Sequence, residues 1–234
     1  MRTAAVEDYV KIIYKLQTQT ETVSTSALAE RTGTTAAAVT KMLKHLAQLN
    51  LVSYTPYHGA RLSPMGETIA LEVIRHHRLL ELYLAQAMGY PWDEVDAEAE
   101  KLEHVISEEF EESIARLLGF PDFDIHGDPI PTRDGQMPKT VTETLDTQAV
   151  GTWIVVRRVS DADAALLRYV GECGLKPGVE LQLLAREPFG GSLSIEIAGL
   201  ERRISLQAAQ NVFVEHCAAR DLSEPEKRVG GILE

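Results

Sequence analysis

Cysteine is nearly absent from this chain: Cys173 and Cys217 are the only two, and they form no C-x-x-C pair. A disulfide framework is thereby excluded, and the two thiols suit a reducing compartment. Apolar runs long enough to span a bilayer are missing as well. Met1-Arg-Thr-Ala-Ala-Val-Glu-Asp8 runs straight into an amphipathic helical pattern, so no secretory leader is expected. The expected location is cytoplasmic, with no membrane partner. No H-E-x-x-H motif occurs. Paired Glu-x-x-His motifs are lacking too, since Lys101 stands three before His104 and Ile74 three before His77. These absences argue against a zinc hydrolase and a di-iron carboxylate enzyme, so the protein is not expected to be an enzyme. There is neither a long internal repeat nor a low-complexity tract.

Positive charge is also scarce overall, with a formal net charge of −12 over 234 residues. That balance alone disfavours nucleic acid as a partner. Its distribution says otherwise. Residues 1–62 carry seven basic and four acidic side chains, a net of +3, whereas residues 93–124 carry two basic and twelve acidic, a net of −10. A mildly basic head thus precedes a strongly acidic middle. Hydrophobic residues at 44% and charged residues at 25% permit ordinary globular cores in both.

Val6, Tyr9, Val10, Ile13 and Leu16 recur at helical spacing and predict a first helix over 3–17. Ser24 or Thr25 caps a short helix over 26–31 that ends at Thr32-Gly33, and Thr34 or Thr35 caps a third reaching about Gln48. Ala29, Gly33, Val39 and Met42 fall at the small, turn and core positions of a helix-turn-helix. The third helix turns outward Thr35, Ala37, Ala38, Thr40, Lys41 and Lys44, small and hydrogen-bonding side chains with two lysines, suited to a major groove. Leu51–Tyr54 and Ala60–Leu62, joined through Thr55-Pro-Tyr-His-Gly59, read as a two-stranded wing carrying Arg61 as a further DNA contact. Ser63-Pro64 starts a helix predicted to run to Met88, roughly 39 Å long and of a kind that serves as a dimer interface. A helix over 92–107, another from Ser107 to about Leu118, and an irregular connection over 120–150 follow. Strands over 152–159, 179–185, 193–197, 202–205 and 211–215, with a short helix over 161–169, form a separate β domain that the last strand is expected to close as a small barrel.

Glu98-Ala-Glu100-Lys-Leu-Glu103-His104 is the stretch around which the rest is organised. In a helix Glu100, Glu103 and His104 share one face, and two carboxylates one turn apart repel unless a cation lies nearby. A divalent cation with oxygen and nitrogen ligands would supply that charge. Taken alone, the stretch reads first as a solvated acidic face with a surface histidine. Likewise His77, one turn before Glu81 on an apolar stripe, reads first as a core histidine.

Four pieces change that balance by their order and spacing: Glu7-Asp8-Tyr9-Val-x-x-Ile-Tyr14, His76-His77-Arg-Leu-Leu-Glu81, Glu100-x-x-Glu103-His104 and Gly127-Asp-Pro-Ile-Pro131. Together they resemble the DtxR/MntR family of metal-dependent transcriptional regulators over nearly the whole length. The resemblance implies a mainly α protein with a C-terminal β domain: a winged helix-turn-helix DNA-binding domain (1–62), a helical metal-binding and dimerisation domain (63–119), an irregular linker (120–150), an SH3-like, FeoA-like domain (151–217) and a tail (218–234). It implies metal ligation by Asp8, Glu100, Glu103 and His104, with His77 and Glu81 at a second position and Asp96, Asp161 or Asp163 at ancillary ones. Asp8 is the manganese-type residue where iron regulators carry methionine. Lys11 replaces a second acidic ligand of the manganese regulators, which disfavours a binuclear cluster and places a fixed positive charge near the carboxylates. A donor set without thiolate suits Mn(II) first and Fe(II) second. The implied function is a metal-dependent repressor, acting as a homodimer on double-stranded DNA with a (pseudo)palindromic operator, in which the metal joins the DNA-binding head to the dimer core and the head swings more freely without it. A winged-helix regulator that senses a non-metal ligand accounts for the head but not for donors ordered over three helices.

Overall fold

The computed structural model describes residues 2–18 and 20–217, so the tail expected over 218–234 lies outside the described residues. The chain divides into two compact units, residues 2–140 with 161–167, and residues 141–160 with 168–217. Among the described residues no helix is long and apolar enough to cross a membrane.

The first unit begins with α1 (Ala4–Gln17), whose N-cap hydroxyl, on Thr3, accepts from the Val6 amide. Ser24 caps α2 (Thr25–Thr32), and Gly33 ends it in the left-handed region at φ 64°. Thr35 caps α3 (Ala36–Gln48). The wing is β1 (Val52–Thr55) paired antiparallel with β2 (Gly59–Leu62), Val52 opposite Leu62 and Thr55 opposite Gly59. Val10, Ile13, Leu28, Val39, Leu43 and Leu46 are fully buried among these elements. The winged helix-turn-helix is therefore present, with termini within about a residue of the sequence expectation.

Ser63 caps α4 (Pro64–Met88), proline takes the first turn, and Gly89 closes the helix at φ 72°. Where one helix was expected over 92–107, the structure has only α5 (Val95–Leu102) followed by a turn. Pro91–Glu94 make a turn of their own, in which the Glu94 amide donates to Pro91 O at 3.0 Å. At the other end the i-to-i−4 ladder gives way to a tighter bond, the Val105 amide donating to Leu102 O at 3.0 Å, and His76 Nδ1 donates to Glu103 O at 3.1 Å. Ser107 then caps α6 (Glu108–Leu117) by accepting from the Phe110 amide. The irregular segment beyond α6 lies along α4: Arg75 Nη1 donates to Pro131 O at 2.8 Å, Arg78 Nη1 donates to Pro129 O, and Ile130 is buried.

The second unit holds a five-stranded antiparallel sheet of β3 (Trp153–Val159), β4 (Glu180–Arg186), β5 (Leu193–Ile197), β6 (Leu200–Ile204) and β7 (Val212–His216), in the order β6-β5-β4-β3-β7. The last strand, β7, completes the sheet of this domain at the edge away from β6. The four-residue helix α8 (Leu206–Ala209), capped by Ser205, separates the two strands, and β7 pairs with β3 on the sheet's far edge. The short helix after β3, α7 (Ala164–Glu172), begins three residues later than expected. Asp163 Oδ1 accepts from the Ala165 and Leu166 amides and so occupies the capping position.

The junction between wing and α4 is tight. Ser63 N donates to Leu51 O at 2.9 Å, and a Cβ built on Gly66 would stand 2.1 Å from that same oxygen. Gly66→Ala is therefore expected to lower stability by about 1–3 kcal/mol through backbone displacement. A urea midpoint unchanged from wild type, at equal protein concentration, would contradict this packing.

Candidate metal centre

Three parts of the first unit deliver the candidate ligands: α1 brings Glu7, Asp8 and Lys11, α4 brings His77 and Glu81, and α5 with its trailing turn brings Asp96, Glu100, Glu103 and His104. Glu103 lies at the middle, its side chain fully buried. Its two oxygens accept from Lys11 Nζ at 2.7 and 2.8 Å, and Oε2 also accepts from His77 Nδ1 at 2.5 Å. Burial opposes charge on this carboxyl, yet His77 and Lys11 outweigh it and hold Glu103 below its ordinary value.

His104 Nε2 faces Asp8 Oδ1 at 2.8 Å and Glu103 Oε1 at 3.3 Å. Its other nitrogen, Nδ1, is 2.6 Å from Glu7 Oε2, and Glu7 is in turn paired with Arg2 at 2.5 Å. This is the arrangement by which an outer carboxylate orients a metal-binding imidazole. Asp8 is held above the ordinary carboxylate range, first by burial, against the pull of His104 and with Glu100 and Glu103 adding repulsion.

A second constellation surrounds His77 Nε2, with Asp96 Oδ1 at 3.3 Å and Glu81 Oε1 at 3.5 Å. Burial disfavours a charged imidazole here, but the facing carboxylates of Asp96, Glu103 and Glu81 overcome it, so His77 is held well above its usual value. Glu81 then extends to a third constellation. Its Oε1 lies 3.7 Å from His126 Nδ1, while His126 Nε2 donates to Trp92 O at 2.7 Å, leaving Nδ1 as the free nitrogen. Asp124 completes this group; burial, then repulsion from Glu81 and Asp128, push its carboxyl up to about 7.

Ligand atoms of Asp8, Glu103 and His104, of His77, Glu100 and Glu103, of His77, Glu81 and Asp96, and of Glu81, Asp124 and His126 each converge within 4.8 Å. Asp8 Oδ1, His77 Nε2, Glu81 Oε1 and His126 Nδ1 are buried without an aligned hydrogen-bond partner. Such atoms are costly unless a cation or proton meets them. Every donor is carboxylate or imidazole, so the residues fit a hard or borderline divalent metal.

All six principal candidates read from the sequence (Asp8, His77, Glu81, Glu100, Glu103 and His104) come together, and Asp96 joins them. Asp161 and Asp163 belong to none of the acid–imidazole groups among the described residues, and Asp163 is engaged as a helix cap. Glu103 and His104 stand in a turn past α5 rather than within a helix. Sequence reasoning missed Glu7, Asp124 and His126. His126 immediately precedes Gly127-Asp-Pro-Ile-Pro131, so that motif held the available signal. Of the residues expected to contact DNA, Thr35, Ala37, Ala38, Lys41 and Lys44 are exposed on or beside α3. Thr40 is half-buried, its hydroxyl donating to Ala36 O at 2.8 Å, and exposed Arg61 on β2 pairs with Glu21 at 3.4 Å.

A winged helix whose first helix shares a buried acid–imidazole cluster with a helical core defines a metal-responsive DNA-binding protein. Three family descriptions match in sequence: the iron dependent repressor N-terminal DNA binding domain over residues 1–60, the iron dependent repressor metal binding and dimerisation domain over 63–132, and the FeoA domain over 143–216. The iron-dependent repressor IdeR of Mycobacterium tuberculosis is 33% identical over 125 residues, which are 53% of this chain and 54% of that protein. The match thus spans about half the length of that curated relative. A manganese-dependent transcriptional repressor in complex with manganese is similar at TM-score 0.81 and 38% identity, covering 91% of this chain and all of that one. The manganese regulator SloR is similar at TM-score 0.71 and 34% identity, covering 91% of this chain and 98% of its own. The chain belongs to the DtxR/MntR family of iron- and manganese-dependent repressors.

Arg78 supports the third constellation, with Nε 3.7 Å from Asp124 Oδ2 and Nη2 3.6 Å from Asp128 Oδ1. Removing its charge leaves buried carboxyls without their cation, so Arg78→Ala is expected to cost about 3–5 kcal/mol. Denaturant unfolding in the presence of chelator measures it, and a loss under about 1 kcal/mol would reject the assignment.

Proposed function

We propose that the protein is a repressor activated by divalent metal, Mn(II) in preference and Fe(II) second, which binds double-stranded DNA with a (pseudo)palindromic operator as a homodimer. The observation that carries this reading is the meeting of Asp8, on the first helix of the reading head, with Glu103 and His104, on the core, within 2.8 and 3.3 Å of the His104 Nε2 atom. The family membership supports the metal and DNA classes, and the ordering of metals rests on the all-oxygen-and-nitrogen donors. Exposed apolar side chains at Met88, Val105, Phe110 and Leu117 near α4's end and along α6 support a second copy as partner.

Asp8, Glu103 and His104 hold the first site, with Glu7 fixing the imidazole and Glu100 adjacent. Glu81 with His77 and Asp96, or with Asp124 and His126, holds a second. A hard divalent cation supplies, when bound, the positive charge that these converging carboxylates need. Asp8 can share that charge only when α1 lies against the turn after α5, so docked and undocked heads differ in affinity for it. A ligand shifts an equilibrium only by such a difference, and DNA must tighten metal binding by the same factor that metal tightens DNA. A coupling of roughly 1–3 kcal/mol corresponds to a 5–150-fold response. Two docked heads then present Thr35, Ala37, Ala38, Lys41 and Lys44 to successive major grooves about 34–36 Å apart.

The test is operator binding on a duplex selected from a randomised library with the Mn(II)-loaded protein. His104→Ala and Glu103→Ala are expected to abolish the Mn(II)-dependent gain in affinity; a full response in either rejects the site. Lys41→Ala and Lys44→Ala are expected to weaken binding at low salt and to flatten the slope of log K against log salt by about 0.9 for each phosphate no longer neutralised. An unaltered slope in both would mean that α3's lysines do not touch the DNA backbone.

A further inference from the structure

Lys11 is the one charged group in the cluster to which metal binding assigns nothing. It stands on α1 with 5% of its surface exposed, and its ammonium donates to Glu100 Oε2 at 2.7 Å and to both Glu103 oxygens at 2.7 and 2.8 Å. His77 Nδ1 lies 3.5 Å away. Those three residues are themselves one of the groups able to gather around a cation. The ammonium therefore occupies the middle of the cluster, between the Asp8–Glu103–His104 group and the His77–Glu81–Asp96 group. Its acceptors, Glu100 and Glu103, come from α5 and its trailing turn, whereas Lys11 itself belongs to the reading head.

We propose that Lys11 is a positioning residue that anchors α1 to the core whether or not metal is bound, and so sets a basal level of head docking. This rests on the proposed function and adds the regulation of the same site. Charge and geometry carry it. Carboxylates drawn together from two helices repel, and a buried ammonium with three N–H donors directed at them offsets that repulsion from within the protein. Repulsion among Glu100, Glu103 and Asp8 is then only partly relieved by metal, because part is already relieved by Lys11. The response has a ceiling. If the head is docked in a fraction f of molecules without metal, saturating metal can raise apparent operator affinity by no more than 1/f, so a fraction of about one-tenth limits the gain to about tenfold.

The experiment compares wild type, Lys11→Met and Lys11→Arg as full chains, each in chelator and in saturating Mn(II). Two quantities are read: amide hydrogen exchange along α1, and affinity for the library-selected duplex. In chelator, Lys11→Met is expected to accelerate α1 exchange by about tenfold or more and to lower duplex affinity by a similar factor. In Mn(II) its affinity is expected to stay within about twofold of wild type, so the metal response widens. Lys11→Arg, which keeps the charge, is expected to follow wild type in both conditions. Unchanged α1 exchange and affinity for Lys11→Met in chelator would overturn the proposal, and so would an equal loss with and without Mn(II), which marks a merely structural role. Should Lys11→Met fail to fold, Glu100→Gln removes one carboxylate charge facing the ammonium at a half-exposed position, and the chelator exchange experiment decides by the same criterion. A wild type indifferent to Mn(II) would reject the proposed function, while α1 exchange in chelator still decides the anchor.

Discussion

A carboxylate cannot be taken wholly out of water without partners, and the buried side chain of Glu103 imposes that requirement on the entire first unit. Its oxygens require donors from elsewhere in the chain, which come from Lys11 on α1 and His77 on α4. Its carbonyl is claimed by His76, also on α4. Side chain and main chain of one residue thereby fix where the reading head, the long helix and the end of α5 meet. The ligand groups on either side share that anchor, since Glu103 itself belongs to two of them. The gathering of carboxylate and imidazole groups at this place is a consequence of a charge that had to be compensated to be buried at all.

The compensation is layered, which explains the mixture of acids, imidazoles and one lysine. His77 is drawn well above its usual pKa by Asp96, Glu103 and Glu81 acting against burial, so the fold favours a proton on it. Lys11 brings a second positive charge, and Arg78 a third beside Asp124. Protons, ammonium, guanidinium and divalent cation are interchangeable in sign but not in reach. A divalent cation accepts several oxygen and nitrogen atoms at once, whereas each N–H addresses a single acceptor with good geometry.

Much of this was readable from the residues alone. The helical recurrence of Val6, Tyr9, Val10 and Ile13, the caps at Ser24, Thr35 and Ser63, and the stops at Gly33 and Gly89 set the first four helices to within about a residue. Glu100, Glu103 and His104 became a candidate donor set only beside the other three motifs, since alone they read as a solvated acidic face, and the helix assumed for them ends at Leu102. What was not legible depends on partners distant in sequence. The turn after Leu102 is held from outside, by His76 donating to the Glu103 carbonyl from 27 positions earlier, and no local propensity encodes that. His126 and Asp124 lie in a proline-rich stretch with no period, so nothing in the spacing brought them to Glu81. The helix α8 went unread for a different reason: it is a single turn, too short for periodicity to register, and it separates β6 from β7, which pairs at the opposite edge of the sheet.

The close approach of Gly66 to the Leu51 carbonyl carries a mechanical consequence. With the Ser63 amide bonded to that oxygen, the Ser63 hydroxyl bonded to Asn50 O at 2.6 Å, and no room for even a methyl group, the base of the wing and the first turn of α4 form one stiff joint. The boundary between reading head and core is thus not a pivot. Any reorientation of the recognition helix has to be taken up as flexure further along α4, and a rod of 25 residues bent near one end displaces its load like a lever.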